Sequence, residues 1–165
     1  MRPTSVNCLL YALFAASAVS LLGSTLAADD PPPMREVKVS VVAILASEQD
    51  NKIDPRLEAI AKEIQKHHPQ LKGFRMGKMT DKKVPVRGGS ESFELVADQK
   101  ADITVLKTAD RNDKVQLKIT PPTLGEITYT TTCGKFFPIM TRYQTSNNES
   151  LIVAVRVQPC KDGKK

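Results

Sequence analysis

Cys133 is the one residue in the body of the chain that could act as a nucleophile, and it lies in the stretch TTTCGKFFPI, residues 130–139. A cysteine nucleophile needs a base held close to it, and the usual bases in this chain are His67 and His68. No local motif brings either histidine to Cys133. An enzyme that uses Cys133 is therefore kept only as an alternative, and we expect no enzymatic activity.

A disulfide accounts for Cys133 more simply than catalysis does. The chain has three cysteines, and Cys8 leaves with a predicted signal peptide, so the mature protein keeps Cys133 and Cys160. An even pair of cysteines in an oxidising compartment favours a disulfide. This bond would close a loop of about 28 residues and stabilise the fold by roughly 3–4 kcal/mol. It requires the two Cα atoms to lie within about 7 Å of each other.

The first residues have the layout of a secretory signal peptide. A basic start precedes an apolar run from Cys8 to Leu22, and small residues follow that run. We predict a signal peptide over residues 1–27, cleaved after Ala27 or, as the second choice, after Ala28. The mature chain would be secreted or periplasmic, with a Pro-rich exposed lead-in at 28–35, one globular domain at 36–160 and a basic tail at 161–165.

The positive charge of the mature chain is concentrated in one segment. The full sequence has 24 Lys and Arg against 18 Asp and Glu, and loss of Arg2 with the signal peptide leaves a net charge of +5. Residues 72–89 alone carry +5, since Asp81 is their one acidic residue and their six basic residues are Lys72, Arg75, Lys78, Lys82, Lys83 and Arg87.

This basic segment is predicted to form a β-hairpin, for which two roles can be argued. It could bind an anionic polymer or a membrane surface. The favoured role is a solvated edge hairpin whose lysines discourage aggregation between sheets. Nucleic acid is the weakest partner, because Phe74 is the one stacking side chain of the segment and no recognised nucleic-acid-binding motif is present.

The sequence predicts neither a metal site nor a cofactor. His67 and His68 are consecutive residues at a helix end, so their side chains point about 100° apart and cannot chelate one ion together. The acidic stretches 50–54 and 110–113 lack the glycine and the distal glutamate of a calcium-binding loop. Gly88-Gly89 is followed neither by a lysine at the Walker spacing nor by a helix.

One helix and a series of strands must position these residues. Residues 37–45 change from alternating to continuous apolar character, which predicts a first strand that enters the middle of a sheet. Asp54 and Pro55 begin a helix that ends at His67-His68-Pro69 and whose apolar stripe is Leu57, Ile60, Ala61 and Ile64. Later strands are predicted at 74–79, 83–87, 92–97, 102–107, 114–120, 126–132, 136–143 and 151–157, the last of them beside the first.

The predicted fold class is α+β, with a single amphipathic helix packed on a mostly antiparallel β-sheet of hairpins. The alternative is a β-sandwich with one inserted helix. One predicted hairpin joins 126–132 to 136–143 through a turn at 133–135, with Tyr129 opposite Ile139 and Thr131 opposite Phe137. Phe136 falls off the apolar face of that hairpin. It therefore either packs in a second layer or is exposed for a partner.

The sequence thus predicts a small exported domain without enzymatic activity, with a binding or structural role at the cell envelope or outside the cell. Three alternatives stay open: a binder of an anionic polymer or membrane surface through residues 72–89, a protein-binding or inhibitor module, and an enzyme that uses Cys133. A protein-binding module would have an exposed apolar patch. We look for this patch first at residues 121–125 and at Phe136-Phe137.

Overall fold

The computed structural model describes residues 36–86, 89–108 and 112–158. These residues form a 3₁₀ turn at Pro55–Leu57, one helix, α1 (Glu58–His67), and eight strands: β1 (Glu36–Ser47), β2 (Gly73–Pro85), β3 (Ser90–Glu94), β4 (Lys100–Lys107), β5 (Lys114–Thr120), β6 (Ile127–Thr132), β7 (Phe137–Gln144) and β8 (Ser150–Val157). No helix among the described residues is both long and apolar enough to cross a membrane. The predicted signal peptide, lead-in and basic tail lie outside these residues.

The strands form two antiparallel sheets of four strands each. The first sheet has the order β2-β1-β8-β7, and the second has the order β3-β4-β5-β6. The two sheets share one core, while α1 covers the other face of the first sheet and closes a second core. The predicted α+β class, with one helix on antiparallel β-structure, is confirmed. The second sheet also gives the molecule the two layers of the sandwich alternative.

β1 and β8 are the central strands of the first sheet, as the sequence predicts. Every residue from 41 to 46 and from 151 to 155 is buried. Because successive side chains of a strand point to opposite faces, one set fills the core between the sheets and the other fills the core under α1. The continuous apolar runs in the sequence therefore correspond to strands that are covered on both sides.

The helix also forms where it is predicted. The Asp54 side chain accepts a hydrogen bond of 3.0 Å from the Arg56 backbone N–H, which caps the first turn. The helix ends at His67, because the residue before Pro69 avoids helical angles and His68 has φ −132° and ψ 68°. The predicted stripe is buried against the first sheet through Leu57, Ile60, Ala61 and Ile64.

Residues 72–89 were predicted to form a β-hairpin, and this prediction is wrong because residues 73–85 form one long strand. β2 pairs with β1 along the full length of β1, from Glu36 to Ser47. A turn near Asp81 would leave backbone groups of β1 without partners, which is costly for so buried a strand. Instead, the Asp81 carboxylate lies 2.9 Å from the Lys38 ammonium of β1. A polar stretch that resembles a turn is therefore the exposed edge of the first sheet.

The predicted hairpin of 126–132 with 136–143 is wrong as well. β6 pairs with β5 and β7 pairs with β8, so these two strands are outer strands of different sheets. The chain crosses between the sheets at Cys133-Gly134, and Gly134 has φ +83°, a conformation that favours glycine. Tyr129 stacks on Phe137 across the two sheets, with ring centroids 4.4 Å apart, where the prediction placed it opposite Ile139.

Candidate functional site

Three of the five described basic residues that were predicted to bind anions form ion pairs with carboxylates of this chain. Arg75 donates two hydrogen bonds to Glu149, in the turn between β7 and β8, at 2.9 and 2.8 Å. Lys78 contacts Glu94 of β3 at 2.9 Å. The hydrogen bond from Lys78 holds the pKa of the Glu94 carboxyl below its ordinary value, so this pair is charged at neutral pH. The positive charges of Arg75 and Lys78, two of the residues predicted to bind anions, are therefore balanced by carboxylates of this chain.

Lys82 is a third compensated residue. Its ammonium donates to the Ser92 carbonyl at 2.6 Å and lies 3.5 Å from the Glu91 carboxylate. Lys72 and Lys83 are exposed and have no ion pair within the described ranges, and Arg87 lies outside those ranges. Binding of an anionic surface by this segment stays a prediction, with two exposed cations left to support it.

Cys133 lies in the turn after β6, where the sequence predicts it. Its side chain is half-buried and packs against the core between the sheets. Its backbone N–H donates to the Asp113 carbonyl at 2.8 Å, and the N–H of Gly134 donates to the Val157 carbonyl at 2.7 Å. Cys160 is outside the described residues, so the disulfide stays a prediction.

His67 and His68 lie on the other face of the first sheet from the core that Cys133 contacts. They line a pocket with Ile152 and Met140 under the end of α1. In the described part of the chain, neither histidine therefore lies beside the thiol. In the part of the chain that the structure describes, no group of three or more His, Cys, Asp or Glu side chains could hold a metal ion.

A groove that the sequence analysis did not predict runs between α1 and the turn from β6 to β7. Its larger part has a volume of about 640 Å³ and its smaller part about 260 Å³. Glu63, Tyr129 and Pro138 line both parts, which makes the groove continuous. The larger part is lined by three residues of α1, by residues 129–132 and by residues 134–138. The outer strands of both sheets therefore border one groove.

Aromatic side chains form much of this groove. Tyr129 is 43 % exposed and stacks on Phe137 with an angle of 20° between the rings. Phe136 packs in part against the core under α1, with the Arg156 guanidinium 4.4 Å from its ring centroid. Of the two predictions for Phe136, packing in a second layer is thus correct, and its ring also lines the groove. The other expected patch, residues 121–125, has both of its prolines buried.

The edge of β6 that borders the groove carries backbone groups available for pairing. The hydrogen bond from the Cys133 N–H to Asp113 fixes which residues of β6 point toward β5, because bonded and non-bonded pairs alternate in an antiparallel ladder. By this alternation Tyr129 bonds to β5, whereas the N–H and C=O groups of Thr128 and Thr130 point away from it. Both threonines are exposed. These groups are a template for a further strand.

The other three sheet edges have features that discourage a further strand, and β6 has none of them. β2 carries lysines and Asp81 along its edge, β3 carries two glutamates in the sequence SESFE, and β7 contains Pro138 and an irregularity between Met140 and Gln144. β6 has the sequence ITYTTT, without charge, proline or bulge. Charged side chains, prolines and bulges are the usual protection of an edge. β6 is therefore the unprotected edge of the described fold.

The sequence does contain a signal for this site. Threonine and tyrosine both have high β-propensity, so the β6 segment is expected to form a strand. Because it has no charged residue, nothing in its sequence prevents a further strand from pairing with it if it lies at a sheet edge. The predicted hairpin of β6 with β7 would have covered that edge, so the site was not expected from the sequence.

Comparison with known proteins adds no further information on this groove. No protein-family model, curated protein or solved structure matches this chain.

Proposed function

We propose that the chain is an exported, non-enzymatic binding module that takes up an extended segment of another polypeptide beside β6. The observation that carries this proposal is the unprotected edge of β6, which lies along the groove under α1. Export rests on the signal-peptide pattern of residues 1–27. This function belongs to the protein-binding alternative among the predictions from the sequence.

An extended segment matches both the backbone groups and the side chains of this groove. A strand added to β6 would bond to the outward N–H and C=O groups of Thr128 and Thr130, as in other cases of strand addition. Its alternate side chains would point to the same face as Tyr129, toward Phe136 and Pro138 in the groove. The backbone would then provide affinity and the groove would provide selectivity.

The other functions have weaker support. An anionic partner would find Lys72 and Lys83 exposed, but Arg75, Lys78 and Lys82 are held by carboxylates. A cysteine-dependent enzyme would need a base at Cys133, and the two histidines lie across the first sheet. The groove combines the exposed ring of Tyr129 and the half-buried ring of Phe136 with backbone groups of β6 that point away from β5, which is a surface for binding rather than for bond cleavage.

The test uses a proline that removes one outward N–H from β6. Random peptides displayed on phage are selected against the mature chain, and the dissociation constants of the enriched peptides are measured with the wild type and with Thr130→Pro. We expect Thr130→Pro to weaken binding about tenfold or more, because it removes one backbone donor at the docking edge. The ladder to β5 does not use this N–H, so the variant should remain folded.

Thr130→Val is the matched control, since it removes the hydroxyl and keeps both the N–H and the β-branched shape. Its affinity should stay within about twofold of the wild type. Thr128→Pro makes the same change at the other outward position, in case Thr130→Pro does not fold. The proposal is wrong if selection enriches no peptide, or if the enriched peptides bind the folded proline variant as tightly as the wild type.

A further inference from the structure

We infer, on the basis of the proposed function, that the segment bound beside β6 carries one large apolar side chain that enters the pocket between the end of α1 and β7. This pocket is the smaller part of the groove, with a volume of about 260 Å³. A cavity of roughly 150 Å³ with apolar walls already holds benzene. The pocket is therefore large enough for an aromatic ring or a long aliphatic side chain.

Four apolar side chains form the inner wall of the pocket and favour an apolar occupant there. Ile64 and Ile152 are almost fully buried, and Pro138 and Met140 are half-buried. A charged side chain in contact with these walls would lose hydration without gaining a partner there. An apolar side chain would instead remove from water both its own surface and the exposed parts of Pro138 and Met140.

The charged groups at the rim do not change this preference. Glu63 lines the pocket, but its carboxylate lies 2.6 Å from the Lys66 ammonium of the same helix. The hydrogen bond from Lys66 holds the pKa of Glu63 below its ordinary value, so the carboxylate is charged and compensated at neutral pH. His67 and His68 complete the rim beside it. The rim therefore offers no uncompensated carboxylate to attract a cationic side chain.

The position of the pocket also sets where the apolar residue stands in the bound segment. Tyr129 lines the pocket and is an inward-facing residue of β6, on the side of the sheet that faces Phe137. The apolar residue must therefore occupy one of the alternate positions of the added strand that point inward. The neighbouring positions point outward, beside Thr128 and Thr130, and tolerate polar residues.

The experiment is a double-mutant cycle between peptide and protein. Each residue of an enriched peptide is replaced by alanine, and affinity is measured with the wild type, with Met140→Trp, which fills the pocket, and with Met140→Leu, which conserves its volume. We expect one large apolar peptide residue whose replacement weakens binding to the wild type about tenfold to hundredfold. With Met140→Trp the same replacement should change affinity less than about threefold, whereas Met140→Leu should behave as the wild type.

His67→Trp places a ring at the exposed rim of the pocket. It replaces Met140→Trp as the blocked variant in the cycle if Met140→Trp does not fold. The inference is wrong if no single alanine replacement in the peptide weakens binding to the wild type about tenfold. It is also wrong if that replacement costs the same affinity with the wild type as with the protein whose pocket is filled. In that case, peptides that still lose affinity for Thr130→Pro leave the proposed function standing. Peptides that bind Thr130→Pro normally overturn the proposed function itself.

Discussion

The two lateral sides of the sandwich are built in different ways. On the side where β2 meets β3, which we call the closed side, lysines of one sheet reach the other. Lys78 contacts Glu94 at 2.9 Å, and Lys82 donates to the Ser92 carbonyl while its ammonium lies 5.5 Å from the centroid of Phe93. The aliphatic stems of lysine cover apolar surface while their charged ends stay in water. This side is covered by the chain itself.

Among the described residues, the side where β6 meets β7, which we call the open side, has no such covering. Tyr129 and Phe137 stack across the two sheets, and the groove begins directly beside them. β6 contributes no charged residue to this side. The fold therefore covers one side with lysine side chains and leaves aromatic rings and backbone groups on the other, where a partner can provide the cover.

The largest expected effect is a difference in the free energy of unfolding between a substitution on the closed side and one on the open side. Phe93 on the closed side is fully buried, so Phe93→Ala should lower the free energy of unfolding by about 3–5 kcal/mol. Tyr129 on the open side is 43 % exposed, so Tyr129→Ala should cost only about 1 kcal/mol. Urea denaturation of both variants measures the difference. Equal losses would show that Tyr129 is part of the folded core rather than a surface for a partner.

The next effect concerns the turn that joins the two sheets on the open side. If Cys133 and Cys160 are bonded, reduction of the wild type should lower the free energy of unfolding by about 3–4 kcal/mol, since it reopens a loop of about 28 residues. Cys133→Ser should equal the reduced wild type and should not respond to reductant. Thiol counting on the unreduced protein, exported to a bacterial periplasm, should find no thiol. Two thiols, or a wild type that reductant leaves unchanged, would contradict the disulfide.

Local patterns in the sequence predict the elements of this fold well. The change from alternating to continuous apolar residues at 37–45 identifies a central strand, and Asp54-Pro55 identifies the start of the helix. Both signals depend on periodicity and capping within one segment. They are correct because each of these elements is stabilised by a face that its own sequence defines.

The pairing of the strands could not be predicted in the same way. The apolar alternation of β6 and β7 fits a hairpin between them and fits equally two outer strands that face each other across a core. The stack of Tyr129 on Phe137 satisfies the same apolar pattern without a shared ladder. The candidate site depends on this choice, because a hairpin would have used the backbone edge that β6 leaves open.

Charge posed a similar difficulty at residues 72–89. Six basic residues in one segment indicate a cationic surface only if the carboxylates that face them are far away. Glu94 and Glu149 come from β3 and from a distant turn, and they compensate Lys78 and Arg75. The number of charged residues in the segment cannot show which carboxylates face it, because that depends on which strands become neighbours.

Amide hydrogen exchange along β6 tests the central claim most directly. It is measured by NMR for single residues, in the free chain and in the chain saturated with an enriched peptide. In the free chain Tyr129 and Thr131 should be protected by the ladder to β5, and Thr128 and Thr130 should exchange freely. Bound peptide should protect Thr128 and Thr130. Protection of these two amides already in the free chain, or none in the complex, would contradict an open edge that binds an added strand.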